Sequence, residues 1–128
     1  MVLLDTTVLI DVLRGRPAAQ RVLALRTTGQ VPWVCAINVE EVWRGMRPGE
    51  EGAVRRLFDG LRVAPLGRAE AELAGDWRRG FAQQGVTLAQ ADCLVAAAAA
   101  AVGARVATGN PKDFPMREIE VEHWPVES

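Results

Sequence analysis

Short, unbroken apolar runs alternate along this chain with longer stretches in which apolar positions recur every three or four residues. The first pattern is that of strands buried on both faces, the second that of amphipathic helices. Residues 2–4 form the first apolar run, which ends at Asp5. Over residues 7–14, Val8, Leu9, Val12 and Leu13 take helical spacing, and Gly15 and Pro17 stop the helix. A second helix is expected over 18–26 and a strand over 31–37. Asn38 then caps a helix carried by Val39, Val42, Trp43 and Met46, which Pro48 and Gly49 end. Residues 50–59 read as helix, 61–64 as a short strand and 68–83 as helix. Thr87, Leu88, Ala89 and Gln90 fit a capping box, which places Asp92 on the first or second turn of an alanine-rich helix ending near Gly103. A strand over 104–107, a turn from Thr108 to Pro111 and a last strand over 119–121 complete the reading. Strands alternating with helices imply an α/β fold, a three-layer α/β/α sandwich with a mainly parallel central sheet. The 128 residues suit a single domain over 1–128.

Composition narrows the function classes. With 49% apolar and 24% charged residues, the chain has the profile of a folded globular protein. Its longest apolar stretch, 94–104, is mostly alanine and short of the roughly 20 residues a membrane span needs. No secretory pattern opens the chain, so a cytoplasmic location is expected. Cys35 and Cys93 have no zinc-ligand spacing around them and read as reduced core residues. A net charge of -1 excludes a strongly basic nucleic-acid binder but not local basic patches. Of 15 basic residues only Lys112 is a lysine, and Arg14, Arg16, Arg44 and Arg47 are candidates for phosphate contact.

The candidate chemistry lies in acids. Ligands of open parallel sheets bind beyond the carboxyl ends of the strands, and Asp5 stands at such an end. Glu40 and Glu41 open the helix after the second apolar segment; neighbours on a helix point about 100° apart, so one at most aims into a cleft. Asp92 begins a helix, and Asn110 and Asp113 follow the strand over 104–107. Gathered at one sheet edge, these carboxylates would raise one another's pKa unless a cation intervened. An oxygen-only set without histidine or cysteine suits Mg²⁺ or Mn²⁺, whose chemistry is hydrolysis at phosphorus. Each acid also has a purely structural reading: Asp5 as a helix cap, Glu40, Glu41 and Asp92 as acids near helix starts favoured by the dipole. On spacing alone the two readings stand side by side.

Four segments resemble PIN-domain proteins, especially the VapC-like toxins of bacterial toxin-antitoxin pairs. Leu3-Leu4-Asp5-Thr6-Thr7-Val8-Leu9-Ile10 is similar to the family's opening. Glu41-Val42-Trp43-Arg44-Gly45 resembles its E-L-x-x-G, which selects Glu41 over Glu40. Asp92-Cys93-Leu94-Val95-Ala96-Ala97 resembles D-x-L-I-A-A, and Thr108-Gly109-Asn110-Pro111-Lys112-Asp113-Phe114 resembles T-x-N-x-x-D-F. The resemblance implies a Mg²⁺-dependent endoribonuclease in which Asp5, Glu41, Asp92 and Asp113 are the catalytic, metal-binding acids. Where many of these proteins carry a further aspartate this chain has Asn110, so either Asn110 or Asp113 fills the fourth position. Thr6 or Thr7 would hold a metal-bound water or orient Asp5. The resemblance further implies structured RNA as substrate (transfer or ribosomal), a VapB-like antitoxin as partner, and a homodimer.

Two other hydrolase-like readings fail on spacing. A haloacid dehalogenase-type phosphatase needs a second aspartate where this chain has Thr7. A receiver domain needs an acidic pair before Asp5 and a late lysine outside a proline-flanked loop. The remaining alternative is a catalytically inactive PIN module that binds RNA or a protein, for which Asn110 is the best argument.

Overall fold

Leu3 and Val106 face one way, Val2, Leu4 and Ala107 the other, and this alternation builds two apolar cores on opposite faces of one sheet. The computed structural model describes residues 1–126. Five strands, β1 (Val2–Leu4), β2 (Trp33–Val34), β3 (Arg62–Val63), β4 (Arg105–Thr108) and β5 (Val121–His123), make the sheet. Their order is β3-β2-β1-β4-β5 and every pairing is parallel. Six helices cover it: α1 (Thr6–Leu13), α2 (Pro17–Thr27), α3 (Ala36–Arg44), α4 (Glu51–Asp59), α5 (Arg68–Gln83) and α6 (Gln90–Val102). Residues of α1 to α4 pack with Val2, Leu4 and Ala107; those of α5 and α6 pack with Leu3 and Val106. The three-layer α/β/α sandwich expected from the sequence is what forms, with a wholly parallel sheet.

The strand order positions the site. The chain leaves β1 for β2 and β3 on one side, then crosses back to set β4 against β1's other edge. Such a reversal opens a crevice beyond the carboxyl ends of the two neighbouring strands. In register, Leu3 pairs with Val106 and Leu4 with Ala107, so the next step sets Asp5 beside Thr108. The Asp5 N–H donates to the Ala107 carbonyl at 2.9 Å, holding that step in place.

Helix α6 lies close because Ala96, Ala97, Ala98 and Ala99 are all fully buried and bring almost no side-chain bulk. Gly103, at φ 67°, turns the chain out of α6 in the left-handed region that glycine tolerates best. Cys35 and Cys93 are buried and free, as expected. No helix among the described residues is long and apolar enough to cross a membrane.

Four local expectations are corrected. The strand over 31–37 shrinks to Trp33–Val34, because α3 already begins at Ala36. Asn38 is not its N-cap but its third residue, and its Oδ1 accepts the Cys35 N–H at 3.1 Å, closing the helix start from inside. Thr87 caps nothing: Leu88 is drawn into the core beside α5 and α6, Thr87 stays exposed, and α6 starts after an Ala89 N-cap that has no side-chain bond. The last strand is Val121–His123, two residues later than expected, because Ile119 serves as a core anchor ahead of it.

Candidate active site

Asp5 occupies the N-cap position of α1 but makes no side-chain capping bond. Its carboxylate turns into the crevice instead, where Oδ2 accepts the Thr108 hydroxyl at 2.8 Å and Oδ1 accepts Asn38 Nδ2 at 3.3 Å. The simple capping reading of Asp5 therefore fails. Glu41 also loses its helix-dipole reading: α3 has no acid in its first turn, and Glu41 lies on the second. Its Oε1 accepts the Thr6 hydroxyl at 2.7 Å. Neighbouring Glu40 faces solvent and lies 3.6 Å from Arg44. Asp92 is the third residue of α6, in its first turn, so the dipole favours its charge there. Asp113 ends a short 3-10 turn, Pro111–Asp113, that follows β4.

Four acids from four segments thus act on one another. Burial pushes the Asp5 carboxyl above its ordinary value against the opposing pull of the Thr108 hydroxyl and the Thr6 backbone N–H, and the charges of Glu41 and Asp113 push it further. Burial likewise raises Asp92 to about 6, helped by Asp113, Asp5 and Glu41. Among the described residues no three of these side chains are drawn together closely enough to form a ready-made metal cage. The set is an open rim of oxygens whose charges oppose one another. That donor chemistry fits a hard divalent cation, which removes the repulsion and keeps much of its own water.

Hydroxyls knit the rim to the fold. Thr108 Oγ1 receives the Asn110 N–H at 3.0 Å, which turns its own proton toward Asp5. Thr7 Oγ1 receives the Gly109 N–H at 3.0 Å, tying the start of α1 to the loop after β4. Asn110 is exposed, and it is its backbone N–H that joins this network. Arg14 is taken from the set of candidate phosphate contacts by Glu50 at 3.7 Å, and Arg44 faces Glu40, whereas Arg47 and Lys112 are exposed.

Asn38 and Thr108 are the site residues that sequence reasoning missed, one read as a cap and the other as part of a turn. Both side chains are completely buried. A polar side chain flanked by apolar Ile37 and Val39 was the one signal for Asn38.

Comparison with known proteins gives the family and agrees with the fold. The PIN domain family matches residues 2–119. Ribonuclease VapC10 of Mycobacterium tuberculosis is 34% identical over 119 residues, 92% of this chain and 89% of that relative. Ribonuclease VapC19 of the same organism is 32% identical over 117 residues, 91% of this chain and 94% of the relative. Among solved structures, a chain of VapBC2 from Rickettsia felis, bound to a DNA fragment from its promoter, superposes with a TM-score of 0.84. That likeness covers 97% of this chain and 99% of the other at 19% identity, and it speaks for the fold.

Proposed function

The chain belongs to the PIN-domain family, and we propose that it is the ribonuclease toxin of a toxin-antitoxin pair, an endoribonuclease cutting structured RNA, transfer or ribosomal, with Mg²⁺ or Mn²⁺. The observation that carries this reading is the rim of four acids acting on one another where β1 and β4 part. Asp5, Glu41 and Asp92 would hold the cation. Asp113, rather than the neutral Asn110, is the fourth acid, because its charge reaches both Asp5 and Asp92. When bound, the ion supplies a polarised phosphodiester oxygen and an activated water.

The protein's own groups set the stage for that ion. Thr108 holds one oxygen of Asp5 and Thr6 one oxygen of Glu41. Exposed Arg47 and Lys112 offer contacts to the RNA backbone. Purified protein is expected to cut total cellular RNA into discrete fragments with Mg²⁺ or Mn²⁺, and EDTA is expected to abolish the cleavage. Intact RNA after incubation with folded, antitoxin-free protein would leave only a binding module.

For the antitoxin, the groove between α1, α2 and α4 is the docking surface this reading favours. It has a volume of about 350 Å³ and is lined by Leu13, Val22, Leu23 and Leu57, with Arg26 and Arg56 at its edge. Leu23 stands 59% exposed there, and the two arginines suit an amphipathic segment with acidic flanks. Leu23→Asp is expected to weaken antitoxin capture by about tenfold or more while leaving RNA cleavage at the parent rate. Undiminished capture in a pull-down with the co-expressed antitoxin would move the docking surface elsewhere. The protein is also read as a homodimer, which sedimentation measures directly.

A further inference from the structure

We propose that Asn38 is a positioning residue that sets Asp5 and Glu41 in one fixed geometry through a single buried amide; the inference rests on the ribonuclease reading above. Its side chain is fully buried at the start of α3. A buried amide has one acceptor and two donor hydrogens, and all are engaged here. Oδ1 accepts the Cys35 N–H at 3.1 Å. Nδ2 donates to Asp5 Oδ1 at 3.3 Å and to Thr6 Oγ1 at 3.1 Å.

The direction of these bonds matters more than their number. The Cys35 N–H can only donate, so it fixes which end of the amide faces it. Nδ2 is thereby aimed at Asp5 and Thr6. Because the Thr6 oxygen receives that N–H, its own proton is directed to Glu41 Oε1, where it is found at 2.7 Å. One amide therefore restrains Asp5 directly and Glu41 through Thr6, two acids 36 positions apart in a 128-residue chain. Asn38 also precedes Glu41 by one helical turn, so α3 presents both toward the same crevice, one at its floor and one at its mouth. An ordinary buried asparagine need only satisfy its own polar atoms. This one holds two acids of the rim and sets the proton of the hydroxyl between them.

Asn38→Asp keeps an oxygen for the Cys35 N–H and nearly the same shape, but as a carboxylate it has no donor for Asp5 or Thr6 and frees the Thr6 proton to turn away from Glu41. It also sets a second buried carboxyl against Asp5, so its rate is read beside its melting temperature and beside an uncharged variant, Thr6→Val. Misplacing reacting groups by a fraction of an ångström to 1 Å costs up to roughly 100-fold in rate, so kcat is expected to fall by about that factor with KM for RNA within about twofold. Thr6→Val, which takes the hydroxyl away from both Asn38 and Glu41 but leaves the Asn38 bond to Asp5, is expected to lower kcat less. Adding it to Asn38→Asp should reduce the rate by less than the product of the two single effects. Multiplicative losses, or an Asn38→Asp kcat within about threefold of the parent, would overturn the proposal, as would a loss that follows the melting temperature.

A second arm needs neither RNA nor cleavage. The Asn38 side-chain amide protons are expected as a distinct pair in NMR, protected from solvent exchange, shifted by Thr6→Val and shifted again on addition of Mg²⁺. A pair that exchanges like a surface amide, or that ignores both changes, would also overturn the proposal. If the parent cuts no RNA, the ribonuclease reading falls while this arm still decides what Asn38 holds.

Discussion

Asparagine in place of Asp5 is expected to reduce RNA cleavage by about a thousandfold while the melting temperature stays level or rises. The two halves of this expectation come from the same feature. Asp5 is buried, and burial is the leading reason its carboxyl is pushed up, so as a bare anion it strains the fold. The amide has the same shape and no charge. It retains an oxygen for the Thr108 hydroxyl and relieves the repulsion from Glu41 and Asp113, gains that offset the loss of the acceptor for Asn38 Nδ2. What it removes is the anion that holds a cation at the centre of the crevice. Measuring kcat on a mapped RNA fragment alongside a thermal melt checks both halves. A variant that cuts within about tenfold of the parent would remove Asp5 from the chemistry; one that unfolds would make its role structural.

The second large effect is on stability and depends on pH. Asp92 sits at about 6 against an ordinary 3.8, so its folded-state pKa is raised. The stability contributed by its neutral form is full below the unfolded value near 3.8 and is lost as the pH rises through about 6. Asp5 is shifted in the same direction. Metal-free protein is therefore expected to melt lower at about pH 7.5 than at about pH 5. Asp92→Asn should flatten that difference. It is expected to add about 1–2 kcal/mol at neutral pH after allowance for solvent screening, a few degrees in Tm, and almost nothing in acid. Mg²⁺ should stabilise the parent more at neutral than at acid pH, and this gain should be lost in Asp5→Asn. Melting curves that coincide across this range, with and without Mg²⁺, would mean the acids do not confront one another as described.

The parts of the fold that were legible in the sequence are those governed by local periodicity and by turns. The run ending at Asp5, the helix from Arg68 to Gln83 and the stop at Gly103 all follow from spacing and glycine placement. Where long-range packing competes with a local signal, the local signal loses. Thr87 and Gln90 had the letters of a capping box, yet burial of Leu88 sets the course of the chain. Cys35 and Ile37 extend an apolar run that reads as strand, but the Asn38 amide closes a helix around Cys35 first.

The candidate acids were visible as polar positions beyond strand ends and at helix starts, and the structure sets Asp5, Glu41, Asp92 and Asp113 within reach of one another's charge. Of the groups that hold them, Thr6 was visible, though its hydroxyl holds Glu41 and not Asp5, and Thr7 ties the loop at Gly109; Asn38 and Thr108 were not visible. Asn38 meets Asp5 across 33 positions and Thr108 meets it across 103, pairings that no window of sequence contains. Only the parallel register of β1 with β4 makes the second of these inevitable.

The most direct test of the central claim is the location of the metal. Crystals grown with Mn²⁺, with anomalous scattering recorded at the manganese edge, are expected to show a peak bounded by the carboxylates of Asp5, Glu41 and Asp92. The same peak should be absent in Asp5→Asn. A peak elsewhere, or no peak at saturating Mn²⁺ in a protein that cuts RNA, would contradict the account.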